Sequence, residues 1–135
     1  MQNLAIHLRS MQLVAHNAHN LVQGPTFFAD HKHLGSLYET YTEIYDAVVE
    51  KCIGLGLPID LQEVTQAAAM KASAVKLSDL SKPEKSFSLI LRMEKDLSAL
   101  VAYLDEDANY GTKNFLQGIA DLSDDRCYKL QQRLK

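Results

Sequence analysis

Apolar residues recur every three or four positions along almost the whole chain, the spacing of one buried face of an α-helix. Leu4, Leu8, Met11, Ala15, Ala18 and Val22 form the first stripe. Phe27, Leu34, Tyr38, Tyr41, Tyr45, Val48 and Cys52 form the second, with Thr26 placed to act as its N-cap. Phe87, Ile90, Leu91, Leu97, Leu100, Val101 and Leu104 mark a third, and Phe115, Leu116, Ile119, Leu122, Cys127 and Leu130 a fourth. No period-two alternation of any length competes, so no strand is predicted.

Glycine and proline punctuate this pattern. Gly24-Pro25 interrupts the first stripe, and Gly54, Gly56 and Pro58 close the second. Ser81-Lys82-Pro83 opens the third, and Tyr110-Gly111-Thr112 separates it from the fourth. Between the second and third lies an Ala-rich piece, Asp60 to Ala74, opened by Asp60 with Glu63 three residues later. That pair is a capping-box-like helix start. The order long, long, short, long, long predicts an all-α fold: a four-helix bundle with a short extra helix in the crossover between helices two and three, the ferritin-like connection.

Composition narrows the function classes. The 135 residues are 47% hydrophobic and 23% charged, ordinary for a globular protein and enough for one domain over residues 1–135. No apolar run is long enough to span a membrane, and the N-terminus lacks the pattern of a secretory signal. Cys52 and Cys127 have no metal-ligand spacing and fit reduced thiols in a cytoplasmic protein. With 14 Lys+Arg against 17 Asp+Glu the net charge is −3, and no Lys-rich tail is present, so DNA binding is not expected.

The candidate chemistry is confined to the first two helices. All 5 histidines, His7, His16, His19, His31 and His33, precede residue 34, and no Glu-x-x-His occurs anywhere. A di-iron site built within one four-helix copy is therefore excluded. His19 closes the first helix on its inward side, and His31 falls on the buried stripe of the second. Glu39, Glu43, Asp46 and Glu50 line one acidic face of that second helix. His31 and this face are too far apart to bind one ion within a copy. Two antiparallel copies of helix two about a two-fold axis would bring His31 of one to Asp46 and Glu50 of the other. The same residues also fit a solvated acidic face and a hydrogen-bonded core histidine. His7, His16 and His33 are expected at the surface, with His16 the one auxiliary ligand, and Tyr38, Tyr41 and Tyr45 in core or interface.

The stretch AHNLVQGPTFFADHKHLGSLYETYTEIYDAVVEKCIGLGLP resembles the signature of the Dps family, the mini-ferritins. His19 and His31 lie twelve residues apart, Gly24 and Phe28 hold the turn, and Asp46 and Glu50 follow His31 by fifteen and nineteen. The C-terminal stretch YLDEDANYGTKNFLQGIADLSDDRCYKLQQRL is similar to the family's last two helices. The resemblance implies a hollow homo-oligomer, usually a dodecamer, that protects against oxidative stress. It would oxidise Fe(II) with peroxide or dioxygen at ferroxidase sites between subunits, and store the iron inside. Its metal ligands would be His19, His31, Asp46 and Glu50, with iron as the metal and zinc as an alternative resting occupant. The chain departs from the pattern at Gly35, where the family usually has Asp, and at Asn20, where it commonly has Trp. These departures sustain a competing expectation, a ferritin-like shell or interaction protein with a degenerate, non-catalytic site.

Overall fold

The computed structural model describes residues 1–135 and contains six helices and no strand. They are α1 (Gln2–Leu21), α2 (Phe27–Gly54), α3 (Leu61–Ser73), α4 (Leu77–Leu80), α5 (Pro83–Asp105) and α6 (Tyr110–Leu134). Four of these are long, and α3 and α4 occupy the crossover. No helix is long and apolar enough to cross a membrane. Contacts group the chain into two compact units, Met1–Ser86 and Phe87–Lys135.

In the first unit the predicted stripe of α1 is its buried face: Leu4, Leu8, Met11, Ala15, Ala18 and Val22 are all buried. On α2, Leu34, Leu37, Tyr41, Val48 and Cys52 are buried, whereas Tyr38 and Tyr45 are half-buried. Those two tyrosines belong to a seam between α1 and α2 that the apolar pattern does not reveal. The Arg9 guanidinium lies 5.1 Å from the Tyr45 ring centre. Gln12 Nε2 donates to Thr42 Oγ1 at 2.7 Å, and Gln12 Oε1 accepts from Arg9. His16 stacks on Tyr38 with ring centres 4.1 Å apart, and the His19 ring lies over Gly35. Steps of three, four and three along α1 match the same steps taken backwards along α2. The four rungs thus share a single antiparallel register.

The helix ends follow local chemistry. Gly56 takes φ +66, which L side chains resist, and the Leu57 N–H then reaches back to the Cys52 carbonyl at 2.9 Å. Thr26 is the N-cap residue of α2, but its side chain does not cap; its hydroxyl donates instead to Asp30 Oδ2 at 2.6 Å. Asp60 caps α3 as predicted, accepting from the N–H groups of Gln62 and Glu63. Its own N–H donates to Gln2 Oε1 at 2.8 Å, a tie to the start of α1. The periodicity does not predict the one-turn α4, and the Ser81 carbonyl just after it accepts the Gln23 N–H at 3.1 Å. The crossover is thereby fastened to the turn that follows His19.

In the second unit, two sequence expectations are corrected. Tyr110-Gly111-Thr112 is the first turn of α6 and not a separator, because Asn109 caps the helix by accepting the Thr112 N–H at 2.8 Å. Leu122 is 59% exposed, and the buried face of α6 runs Thr112, Leu116, Ile119, Ser123, Arg126 and Leu130. Arg126 sits there because Glu94, 0% exposed on α5, faces it: Arg126 Nε meets Glu94 Oε1 at 2.5 Å. Ser123 Oγ donates to Glu94 Oε2 at 2.5 Å, and Ser98 Oγ donates to Ser123 Oγ at 3.1 Å. Burial raises the pKa of both free thiols, Cys52 and Cys127, and the Glu94 charge raises Cys127 further. Both fit unreactive structural cysteines.

Removing one partner of a buried charged pair leaves the other uncompensated. Glu94→Leu is therefore expected to cost about 3–5 kcal/mol in urea unfolding, with Glu94→Leu/Arg126→Met recovering most of the loss.

Candidate metal centre

The turn from Val22 to Thr26 folds the end of α1 against the start of α2, which brings His19 and His31 together. Their rings stack with centres 3.8 Å apart and planes inclined by 18°. His19 Nδ1 lies 2.7 Å from the His31 carbonyl oxygen, and His31 Nδ1 lies 2.7 Å from the His19 carbonyl oxygen. A carbonyl only accepts, so each Nδ1 carries a proton and donates it. In the neutral rings each Nε2 is then a lone-pair nitrogen. A backbone carbonyl fixing one nitrogen of an imidazole so that the other can bind metal is the usual support of a metal-ligating histidine. Two such rings, each supported by the other's backbone, make a prepared pair of nitrogen donors.

Close packing surrounds the pair. Phe27 stacks on His31 with ring centres 4.9 Å apart, while Phe28 is 87% exposed. The turn aromatic that touches the site is thus Phe27, because α2 starts there and directs the next residue outward. A Cβ at Gly35 would lie 3.0 Å from both Cε1 and Nδ1 of His19. Glycine at this helix position is explained by the imidazole that rests on it. His16 is exposed and leans on Tyr38, its ring centre 6.4 Å from that of His19. Asn20 is exposed. The surface expectation for His7 is corrected: it is 8% exposed, carried inward by the buried neighbours of α1.

The acidic candidates stand apart from the pair within one copy. Glu39, Glu43, Asp46 and Glu50 are all exposed on α2. Helical rise places Asp46 and Glu50 about 22–28 Å beyond His31. No group of three or more His, Cys, Asp and Glu side chains converges to hold a metal ion within one chain. One copy therefore presents two nitrogens at one end of α2 and carboxylates farther along the same helix.

The fold and this geometry stand beside one family match. A family profile described as a ferritin-like domain matches residues 2–135. The chain belongs to the ferritin-like domain family, in agreement with the all-α four-helix architecture read from its periodicity. No curated protein and no solved structure matches the chain significantly.

The close approach at Gly35 has a measurable consequence. Alanine is the better helix former by about 1 kcal/mol, yet an added Cβ must displace a ring pinned by its hydrogen bond and its stack, at roughly 1–3 kcal/mol. Gly35→Ala is expected to lower the unfolding midpoint in the native background and to raise it in a His19→Ala background.

Proposed function

We propose that this chain is a subunit of a Dps-like mini-ferritin. Two copies pair through antiparallel α2 helices, so that His19 and His31 of one and Asp46 and Glu50 of the other form a shared ferroxidase site. Fe(II) is the substrate: each ion bound there gives one electron to peroxide or dioxygen, and the Fe(III) product is stored inside a hollow shell of identical subunits. The observation that carries this reading is the reciprocal Nδ1–carbonyl bonding of His19 and His31, which leaves both Nε2 atoms able to bind a cation. Membership of the ferritin-like domain family supports the iron chemistry and the assembly in general terms.

The residues divide the work by charge. An imidazole whose Nδ1–H is held by a carbonyl accepts Fe(II) at Nε2 without giving up that proton. The carboxylates, hard anionic donors, favour Fe(III) over Fe(II) and so pull the electron transfer forward. An isologous pair repeats the site on both sides of its axis. The exposure of Asp46 and Glu50 in a single copy suits a role toward a neighbour.

A second reading draws on Gly35 and Asn20: a ferritin-like shell whose site has lost its chemistry. The two readings differ in Fe(II) oxidation by the assembled protein. The ferroxidase reading expects rapid aerobic or peroxide-driven oxidation, slowed on the order of 100-fold or more by His31→Ala or Glu50→Gln with the assembly unchanged by sizing. Refolding the two variants together is expected to restore about a quarter of the sites, because each mixed pair keeps one intact His–carboxylate combination. Assembly without oxidation in the native protein would favour the degenerate shell, and absence of rescue would reject a site shared between copies.

A further inference from the structure

We propose that the exposed face of α2 docks on the same face of a second copy, with Phe28 of each copy packed on Ile53 of the other. The inference rests on the shared-site reading above and adds to it the contact that holds the two copies together.

Exposure points there first. Phe28 and Ile53 are the exposed large apolar side chains of α2, 87% and 62% open to solvent in a single copy. They share a face with Lys32, Glu39, Glu43 and Glu50, since at 100° per residue all six fall within an arc about 80° wide. All six are exposed.

The order of residues along this face is self-complementary. Taken antiparallel, Phe28 meets Ile53, Lys32 meets Glu50, and Glu39 meets Glu43, every pair centred within half a residue of Tyr41. Apolar side chains thus meet at both ends, and an ammonium meets a carboxylate one turn further in. Glu39 and Glu43 fall near the axis and repel across it, so the attraction has to come from the ends. A parallel pairing would instead set Lys32 on Lys32 and Glu50 on Glu50. Apolar ends and opposite charges fix this register without reference to the histidines, and it is the register the shared site needs. Phe28 stands three residues before His31 and Ile53 three after Glu50, so joining the first to the last also sets His31 against Glu50. Within one copy the Phe28 ring meets Phe27 edge-on with centres 5.4 Å apart, and Phe27 stacks on His31. Docking on Ile53 would extend that aromatic wall across the boundary between copies and keep water from the imidazoles.

The test is disulfide trapping, because the bond forms only where two Cα atoms come within about 7 Å. Phe28→Cys and Ile53→Cys chains are refolded together and mildly oxidised. A link between positions 28 and 53 of different chains, mapped by peptide mass, is expected. Neither variant alone is expected to link through its new thiol, since like positions lie about 37 Å apart. Self-linking of Phe28→Cys would overturn the antiparallel register and the shared site with it. Absence of the 28–53 link in chains that assemble would overturn the docking. Recovery of Fe(II) oxidation by mixed His31→Ala and Glu50→Gln chains would then leave the shared site standing by itself. Phe28→Asp and Ile53→Asp are each expected to weaken assembly on the order of 10-fold or more, followed by sizing on dilution, with helix content by circular dichroism unchanged. Unaltered assembly in either would overturn the proposal.

Discussion

The first unit turns on one constraint: two imidazoles that each donate to the other's backbone carbonyl across the α1–α2 turn. The bonds do more than join two side chains. Each fixes a ring by the main chain of the opposite helix, so ring orientation and helix placement cannot change separately. The stack at 3.8 Å and the glycine beneath His19 follow from the same placement. A larger residue at position 35 would hold α2 away and undo the reciprocal bonds.

The polar seam extends that constraint along the helices. Arg9 over Tyr45, Gln12 bonded to Thr42, and His16 on Tyr38 repeat the register that sets His19 on Gly35. Apolar packing supplies most of the driving force, but it tolerates sliding more readily than directional bonds do. The seam therefore selects one register among those the apolar stripe allows. In the second unit Glu94, Ser123 and Arg126 form a comparable buried polar group, whose charges are matched and hydrogen-bonded.

Much of this was legible in the sequence, and what was missed shares a cause. The four long helices, their glycine and proline boundaries and the Asp60 cap follow from periodicity and local turn chemistry, which need no knowledge of neighbours. His19 and His31 were recognisable by their positions and separation. Their mutual bonding and the role of Gly35 were not, because both depend on which residue of α1 faces which residue of α2. Glu94 and Arg126 are hidden from an apolar pattern because charged residues interrupt the stripe, although each keeps the helical spacing of its buried face. Leu122 misleads for the converse reason: its side chain is apolar but its phase is that of the solvent side. The Asn109 cap signal, an Asn three residues before Thr112, is masked by the turn-like Tyr110-Gly111 beside it.

The link between turn and register also bears on how this chain can vary in length. Surface connections usually accept insertions with little consequence. The segment from Val22 to Thr26 is an exception, since one added residue taken up within either helix would rotate its following face by about 100° and unseat all the rungs together. Drift in chain length should accumulate instead around Leu55–Ile59, where no rung depends on the count. Relatives that preserve the five-residue span after Leu21 while differing freely around Leu55–Ile59 would carry the imprint of this clasp in their alignment gaps.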